Sequence, residues 1–343
     1  MSVIMTKTAI ILFNLGGPDT QEAVKPFLFN LFNDRAIIRL PQPLRLFIAT
    51  MISRKREKTA QAIYAQIGGG SPILANTKKQ AEALEQQLGM KCFIAMRYWH
   101  PFVEDVVNEV KNYAPDRLVL LPLYPQFSTT TTGSSFSSWH KAARQAGLSV
   151  PSGSICCYPD EAGFIESLAA KIRRAYDTAQ QQGTPRLLFS AHGLPEKIVK
   201  AGDPYPDHCQ KTVEALRAAL KIDGLDSVLC YQSRVGPLTW IGPATDDEIR
   251  KAGADKVPVV VAPIAFVSEH SETLVEIDKE YRHLASQSGV PFYAYTGTVD
   301  ADPAFISGLA GLVRKSLGGD KACVSGSGSR ICDRAICACP MEK

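Results

Sequence analysis

Short apolar runs alternate with longer stretches of helical periodicity along most of this chain, and this alternation is the feature that most constrains its fold. The runs are rich in aliphatic residues and include TAIILFNL, KCFIAMRY, RLVLLPLYP, RLLFSAH, SVLCYQS and KVPVVVAPIAF. Continuous apolar runs of this length are typical of strands that are buried on both faces of a parallel sheet. The sequence therefore predicts an α/β protein in which helices cover both faces of each sheet.

Two pairs of motifs resemble each other across the halves of the chain. ILFNLGGP near the start resembles LLFSAHGLP in the middle, and VLLPLYPQFSTT resembles VVVAPIAFVSEH. The length of 343 residues also favours about two domains. We therefore predict two similar Rossmann-like lobes, residues 1–150 and 151–318, with an active-site cleft between them and a cysteine-rich tail at 319–343. In such folds ligands bind beyond the carboxyl ends of the strands.

Charge and composition narrow the class of protein. The net charge of +4, from 38 basic and 34 acidic residues, is too small to indicate binding to nucleic acid. The N-terminal segment has no cleavage site typical of a signal peptide, and no window offers the roughly 18 apolar residues of a transmembrane helix. We therefore expect a cytoplasmic protein with reduced thiols. The sequence gives no indication of the oligomeric state.

Residues 41–58, PQPLRLFIATMISRKREK, depart from the strand–helix pattern. An apolar stretch here runs directly into the basic residues Arg54, Lys55 and Arg56. One interpretation is an ordinary buried helix with a solvated basic end. The other is an apolar lip that touches a membrane surface and a lipophilic substrate.

Two strand ends carry the residues best suited to chemistry. RLLFSAHGLP places His192 at the end of a strand, and APIAFVSEHSETLVEID ends another strand near Phe266. Ser268 can cap the helix that follows. Helical spacing would place four acidic residues on one ridge of that helix: Glu269, Glu272, Glu276 and Glu280. Such a ridge is often only a solvated face. With His192, however, it offers an imidazole and a carboxylate that could accept protons or hold a divalent metal.

Aromatic, arginine and hydroxyl side chains recur just after the predicted strands. They occur in RYWHP, LYPQFSTTTTGSS, YQSRVGPLTWIGP and around Phe266. Each aromatic residue taken alone is more often part of a core. Together they favour a pocket for a flat, apolar ligand with anionic edges.

These motifs, in this order, resemble those of the ferrochelatase family. The resemblance rests on NLGGP, GGGSP, RYWHP, LYPQFSTTTTGSS, FSAHGLP, YQSRVGPLTWIGP and PIAFVSEHSETLVEID, and it extends from about Ile10 to about Tyr295. It implies a lyase with two Rossmann-like lobes that inserts Fe(II) into protoporphyrin IX. The product is haem, the inner pyrrole protons are released, and the reaction is the terminal step of haem biosynthesis.

The resemblance also assigns roles to individual residues. It implies that His192 lies at the metal and pyrrole-proton site and that Glu272 faces it, so both would contact the Fe(II) substrate. The remaining residues would line the porphyrin pocket: Arg97, Tyr98, Tyr124, Ser128, Trp240, Phe266 and His270. The sequence has Leu15 where some family members have methionine, so no thioether is expected at the metal entry side.

Four of the nine cysteines lie in the last 21 residues, with the spacing C-x8-C-x4-C-x-C. They are Cys323, Cys332, Cys337 and Cys339. The spacing alone is compatible with zinc, with an iron–sulfur cluster or with disulfides. The resemblance favours a [2Fe–2S] cluster, which many ferrochelatases carry at this terminus. Because Thr129 stands where the animal enzyme has a cysteine ligand, the fourth ligand is expected in the tail.

Three alternatives stay open at this point. The substrate could be coproporphyrin, or the chain could be another tetrapyrrole chelatase that inserts cobalt or nickel. A third alternative is an iron–sulfur sensor that binds haem without making it. For the favoured function, the expected partners are protoporphyrin IX and Fe(II). A peripheral contact with the inner membrane is expected from residues 41–58.

Overall fold

The structure is a computed structural model. It describes these parts of the chain: 6–234, 238–319, 322–333 and 340–341. The chain folds into two compact units. The first unit comprises the described parts of Met1–Cys157, Leu309–Arg330 and Pro340–Lys343. The second comprises the described parts of Tyr158–Gly308 and Ile331–Cys339.

The strands of the described residues coincide closely with the apolar runs of the sequence. In chain order they are β1 Thr8–Asn14, β2 Lys91–Met96, β3 Arg117–Pro122, β4 Ser152–Cys157, β5 Arg186–His192, β6 Ser227–Gln232, β7 Val259–Pro263, β8 Tyr293–Tyr295 and β9 Cys323–Ser325. The first sheet has the order β2-β1-β3-β4-β9 and the second has the order β6-β5-β7-β8. All of these neighbours pair in parallel. The predicted α/β class is therefore confirmed.

Helices connect the strands. They are α1 Val24–Phe32, α2 Gln42–Ala65, α3 Ile73–Leu88, α4 Val103–Tyr113, α5 Thr132–Ala146, α6 Ala162–Gln180, α7 Glu196–Lys200, α8 Tyr205–Leu220, α9 Thr245–Asp255, α10 Tyr281–Gln287 and α11 Pro303–Gly318. A π-helix, Glu272–Glu280, precedes α10. None of the helices in the described residues combines the length and apolar character needed to cross a membrane.

Side chains at helical spacing build the core of the first unit. Every residue of β1 is buried, and its Phe13 packs edge-on against Phe136 and Trp139 of α5 at centroid distances of 5.9 and 5.8 Å. The same core contains four valines of α4 spaced i, i+3, i+4 and i+7: Val103, Val106, Val107 and Val110. Full burial of one such side chain stabilises the fold by roughly 1.5–3 kcal/mol.

In the second unit β5 is an inner strand, between β6 and β7. Its Leu188 is buried among residues of β7, α9 and the π-helix. His192 is the last residue of β5 and pairs in register with Gln232, the last residue of β6. Because all strands of this sheet are parallel, their carboxyl ends meet at one edge. The fold therefore places His192 and the segment after β7 at the same edge.

The unit boundaries differ from the boundaries expected from the sequence. The expected boundary at residue 150 lies one strand early, because β4 pairs with β3 in the first sheet. The tail contributes β9, which pairs with β4 and places Cys323 beside Ser154. A second boundary between the units falls within α11, between Gly308 and Leu309. The sequence does not reveal these pairings, because β9 is only three residues long.

Candidate active site

His192 and His270 face the two oxygens of one carboxylate in the second unit. His192 Nε2 lies 3.6 Å from Glu272 Oε1, and His270 Nε2 lies 3.5 Å from Glu272 Oε2. Both distances suit ion pairs but exceed those of ordinary hydrogen bonds. Glu272 thus has an imidazole nitrogen near each of its oxygens.

Backbone carbonyls fix the tautomer of both histidines. His192 Nδ1 lies 2.6 Å from the carbonyl oxygen of Gly193, and His270 Nδ1 lies 3.1 Å from that of Ser268. A carbonyl oxygen only accepts, so each Nδ1 carries the hydrogen and donates. In the neutral ring the lone pair is then on Nε2. Both basic nitrogens therefore point towards Glu272.

The charges of this group shift its pKa values in opposite directions. Burial alone lowers the pKa of His192, but the Glu272 carboxylate outweighs burial, and the net pKa is raised above the ordinary value. Burial raises the pKa of Glu272, but the imidazoles of His192 and His270 outweigh it and hold that pKa well below its usual range. The resting arrangement at neutral pH is therefore an imidazolium–carboxylate ion pair.

The signs of these shifts set the pH range in which the pair stabilises the fold. The pKa of His192 is raised, so its contribution is complete below the ordinary histidine value and is lost as the pH rises through the raised value. The pKa of Glu272 is lowered, so its contribution is present above the ordinary glutamate value and is lost as the pH falls through the lowered value.

Glu276 lies one helical step beyond Glu272 and binds the end of β6. Its carboxylate accepts hydrogen bonds from the Ser233 backbone at 2.8 Å and from the Ser233 hydroxyl at 2.5 Å. It also accepts from the Tyr281 hydroxyl at 3.0 Å. Burial and the charge of Glu272 raise the pKa of Glu276. This second carboxyl group can therefore hold a proton more readily than an exposed glutamate.

The helix that carries these acids differs from the predicted one. Ser268 does not begin it: the loop after β7 continues to His270, and the π-helix begins at Glu272 with Ser271 before it. A π-helix has i→i+5 bonding and is frequently found at functional sites. The sequence did not reveal it, because the i+3 and i+4 spacing of its acids is also that of an α-helix.

The predicted acidic ridge is only partly present. Glu269 turns away and accepts hydrogen bonds from Tyr295 and the Thr298 backbone at 2.8 and 2.9 Å. Glu280 is exposed. Only the two middle members of the ridge, Glu272 and Glu276, join the histidine group.

Aromatic rings line this group. The Phe266 ring lies 4.6 Å from that of His270 and 6.3 Å from that of His192, between centroids. Trp240 lies against Gly193, where an added Cβ would be 3.3 Å from its ring and 2.7 Å from the Gln232 carbonyl oxygen. Among the described residues, the buried Nε1 of Trp240 has no hydrogen-bond partner. Glycine is thus required beside His192 for the indole to approach.

A second group of predicted site residues lies in the first unit, around Asp34. The Asp34 carboxylate pairs with Arg97 Nη2 at 2.8 Å and accepts from the Tyr98 hydroxyl at 2.7 Å. Ser134 also donates to it, at 2.8 Å, and accepts from Arg97 Nε at 2.8 Å. Burial and the Asp34 charge raise the pKa of Tyr98 strongly. Asp34 was not singled out from the sequence, because it follows no predicted strand, and Ser134 was not named individually within the hydroxyl run LYPQFSTTTTGSS.

The other two predicted contacts of the first unit have separate surroundings. Burial raises the pKa of Tyr124. Ser128 is buried, and its hydroxyl lies 2.8 Å from that of Thr130 in a local turn. Their proposed contact with a ligand stays a prediction.

The apolar stretch predicted at 41–58 lies within α2. Several of its apolar side chains are exposed, with 66% of Phe47 and 52% of Met51 accessible, whereas Ala49 is buried. Leu44 and Leu46 are exposed as well. The interpretation as an ordinary buried helix is therefore wrong for this face of α2. Exposed apolar side chains that cluster next to basic ones are typical of an interaction surface.

Two of the four tail cysteines lie within the described residues. Cys323 is in β9, and Cys332 Sγ lies 3.2 Å from Nε2 of the buried His208. The predicted ligands Cys337 and Cys339 lie outside the described residues. Within the part of the chain that the structure describes, no group of three or more His, Cys, Asp or Glu side chains is arranged to hold a metal ion.

Comparisons with known proteins place these features in a family. The ferrochelatase family profile matches residues 7–317. The chain is 51% identical to a ferrochelatase of Caulobacter vibrioides strain NA1000/CB15N over 98% of each chain. It is 50% identical to one from Phenylobacterium zucineum, over 97% of this chain and 98% of that protein. It is 48% identical to one from Hyphomonas neptunium, over 98% of this chain and 95% of that protein.

Solved structures support the fold. The sirohydrochlorin chelatase SirB from Bacillus subtilis subspecies spizizenii, in complex with cobalt, has a TM-score of 0.55 at 11% identity, covering 92% of this chain and 97% of that one. SirB from Bacillus subtilis with Fe3+ has a TM-score of 0.51 at 12% identity, covering 90% and 95%. At this identity the likeness shows the chelatase fold alone.

Proposed function

The chain belongs to the ferrochelatase family, and we propose that His192 and Glu272 remove the pyrrole protons while Fe(II) enters protoporphyrin IX. The expected activity, that of a lyase acting on a porphyrin and Fe(II) in the terminal step of haem biosynthesis, is confirmed by the identity to curated ferrochelatases. The roles of individual residues, the choice of protoporphyrin, the cluster and the membrane contact are our proposals.

One observation carries the assignment of roles: two imidazole nitrogens face one carboxylate at the carboxyl edge of a parallel sheet. A free-base porphyrin carries two inner N–H groups that must leave as Fe(II) enters. His192 Nε2 has the lone pair to accept such a proton, because its Nδ1 is already protonated and donates to Gly193. Glu272 stabilises the imidazolium that forms.

The raised pKa of His192 sets a requirement for this step. At neutral pH the resting imidazole already holds a proton that Glu272 stabilises, so that proton must leave before a pyrrole proton can be accepted. Glu276 is the next acceptor along the π-helix, and its pKa is raised. We propose that protons pass from His192 through Glu272 to Glu276. In total, two protons leave the porphyrin for each Fe(II) that enters.

The rings around His192 suit a flat tetrapyrrole. Phe266 and Trp240 can contact its faces, and His270 lies beside them. Distortion of the macrocycle, which exposes the pyrrole nitrogens, would be supported by binding contacts remote from them. Of the remaining predicted contacts, we propose that Arg97, Tyr124 and Ser128 also bind the porphyrin, and that Tyr98, which is buried and bonded to Asp34, contributes through the position of Arg97. Arg97 is the member suited to the anionic edge of the porphyrin.

The described aromatic residues favour protoporphyrin over a more carboxylated ring. Coproporphyrin has four carboxylates, which call for more basic side chains around the pocket. Coproporphyrin is therefore the alternative substrate to be compared in the assay. An iron–sulfur haem sensor is the alternative of a different class, and it would have no need for a proton acceptor at His192.

We also propose that the tail holds a [2Fe–2S] cluster through Cys323, Cys332, Cys337 and Cys339. Thiolates are the donor set that such clusters require. The imidazole of His208 against Cys332 Sγ, at 3.2 Å, resembles the hydrogen bonds that commonly support sulfur ligands. The resemblance to cluster-containing ferrochelatases adds to this. When bound, the cluster would supply a one-electron redox centre and a cross-link within the tail.

The exposed face of α2 supports a peripheral membrane contact. Leu44, Leu46, Phe47 and Met51 are exposed, and Arg54 and Lys55 follow on the same surface. Apolar side chains beside cations bind the interface of an anionic bilayer. We propose that this face lies on the inner membrane of a cytoplasmic enzyme and receives the lipophilic porphyrin there.

The catalytic proposal is tested by replacing His192. In His192→Ala we expect kcat for insertion of Zn(II) or Fe(II) to fall by about 10²- to 10⁴-fold, because the proton acceptor is lost. Porphyrin binding, measured by fluorescence, should persist. The matched control is His283→Ala, at an exposed histidine of α10, which should keep full activity. Near-wild-type turnover of His192→Ala would contradict the assignment, and a sensor would show no metal insertion even in the wild type. Wild-type turnover of protoporphyrin and coproporphyrin in the same anaerobic assay decides between the two substrates.

The cluster is tested by absorption and electron paramagnetic resonance spectra of anaerobically purified protein. Wild type should show the spectra of a [2Fe–2S] centre, and Cys→Ser variants at each of the four tail positions should lose them. Cys92→Ser is the matched control, because this buried thiol lies in β2. Cys156 and Cys157 are also informative, since their sulfurs lie 3.1 Å apart beside β9. If one tail variant keeps the cluster and Cys157→Ser loses it, the proposed ligand set is wrong.

The membrane contact is tested by flotation with vesicles that contain anionic lipid. We expect Phe47→Ser combined with Met51→Ser to weaken vesicle binding about tenfold or more, since each buried apolar side chain contributes roughly 1.5–3 kcal/mol. Leu238→Ser is the control, because Leu238 is comparably exposed on the other unit. Equal binding by wild type and the double variant would rule out this surface.

A further inference from the structure

We propose that Asp34 is a positioning residue that orients Arg97 for one carboxylate of the porphyrin. This inference rests on the proposed function, in which Arg97 binds the anionic edge of the substrate. Asp34 lies just after α1, Arg97 just after β2 and Ser134 in α5, so three distant segments of the first unit meet at this carboxylate.

Both oxygens of Asp34 have defined partners. Oδ2 receives Arg97 Nη2 at 2.8 Å, the Tyr98 hydroxyl at 2.7 Å and the Ser134 hydroxyl at 2.8 Å. Oδ1 accepts from the backbone nitrogen of Ala36 at 2.9 Å. Charge-assisted hydrogen bonds of this length are the stronger kind. Oδ1 of Asp34 is thus held by the turn that follows it, and Oδ2 binds Arg97.

These contacts fix one edge of the Arg97 guanidinium. Nη2 bonds Asp34, and Nε donates to Ser134 at 2.8 Å, which in turn donates to Asp34. The Tyr98 ring lies under the group, with its centroid 5.1 Å from Cζ. A guanidinium is planar, so holding Nε and Nη2 also fixes the direction of Nη1.

Nη1 is the part of Arg97 that remains for a ligand. Within the described residues it has no hydrogen bond to the protein, and 23% of the side chain is exposed. Tyr98 cannot take this role, because its ring is buried and its hydroxyl is bonded to Asp34. The predicted contribution of Tyr98 to the porphyrin site is therefore indirect, through the position of Arg97.

The variant Asp34→Asn probes this arrangement with little change in volume. An amide has only one acceptor oxygen. If that oxygen faces Arg97, the amide nitrogen meets the Ala36 N–H. If it faces Ala36, the amide nitrogen meets the guanidinium. In either orientation the contacts that fix Arg97 are weakened, and its positive charge no longer faces a carboxylate.

The experiment compares binding of protoporphyrin and of its dimethyl ester, which lacks the carboxylates, by fluorescence in detergent solution. Wild type should bind the acid about tenfold more tightly than the ester, as expected for a charge-assisted contact. In Asp34→Asn this preference should fall to about twofold or less. Asp302→Asn is the matched control, since Asp302 accepts from Ser167 at 2.6 Å in the second unit and its loss should leave the preference unchanged.

Two further variants separate positioning from loss of stability. Ser134→Ala removes the hydroxyl that links Arg97 Nε to Asp34. It should also lower the preference for the acid over the ester, which keeps the test valid if Asp34→Asn folds poorly. Adding Asp34→Asn to Arg97→Gln should cause no further loss of preference, because both act through one group. The proposal is overturned if wild type shows no preference, or if Asp34→Asn weakens acid and ester binding equally. These experiments measure porphyrin binding, whereas the proposed role of His192 is tested by metal insertion. The two proposals can therefore fail independently.

Discussion

The placement of Glu272 between two imidazoles is the interaction on which the proposed chemistry depends. The Glu272 carboxylate lies beside Nε2 of His192 and Nε2 of His270. It raises the pKa of His192, and the two imidazoles keep the carboxylate ionised. The carbonyls of Gly193 and Ser268 complete the arrangement, because each accepts a hydrogen bond from Nδ1 and so turns Nε2 towards Glu272. Without those two carbonyls, either ring could turn a bound hydrogen towards the substrate.

The fold brings these groups together through strand ends and one irregular helix. His192 ends β5, while the loop after β7 carries Phe266 and His270, and parallel pairing brings both strand ends to one edge. The π-helix then directs Glu272 towards the histidines and Glu276 towards Ser233 at the end of β6. Ser233 has a positive φ of 59°, and the two hydrogen bonds that Ser233 donates to Glu276 offset the cost of that conformation. The acid that is proposed to carry protons thus also supports the local backbone.

Sequence reasoning located the elements better than it located the partners. Buried parallel strands leave a continuous apolar signal, so His192 could be placed at a strand end. The spacing of acids indicated only a ridge of four glutamates, and the family resemblance implied that Glu272 is the one that faces His192. The π-helix was missed because the i+3 and i+4 spacing of its acids is also that of an α-helix. Asp34 was missed because its role comes from contacts between residues 64 and 100 positions apart, which local patterns do not record. The pairing of β9 was missed for a similar reason.

The central claim is that Glu272 stabilises a proton on His192 Nε2. The most direct test is an NMR titration of the imidazole nitrogens of His192 in wild type and in Glu272→Gln, with Glu280→Gln as an exposed control on the same helix. The account predicts that wild-type His192 titrates above the ordinary histidine pKa, that its Nδ1 stays protonated throughout, and that Glu272→Gln lowers the pKa while Glu280→Gln does not. A His192 that titrates at the same pH in wild type and Glu272→Gln would contradict it.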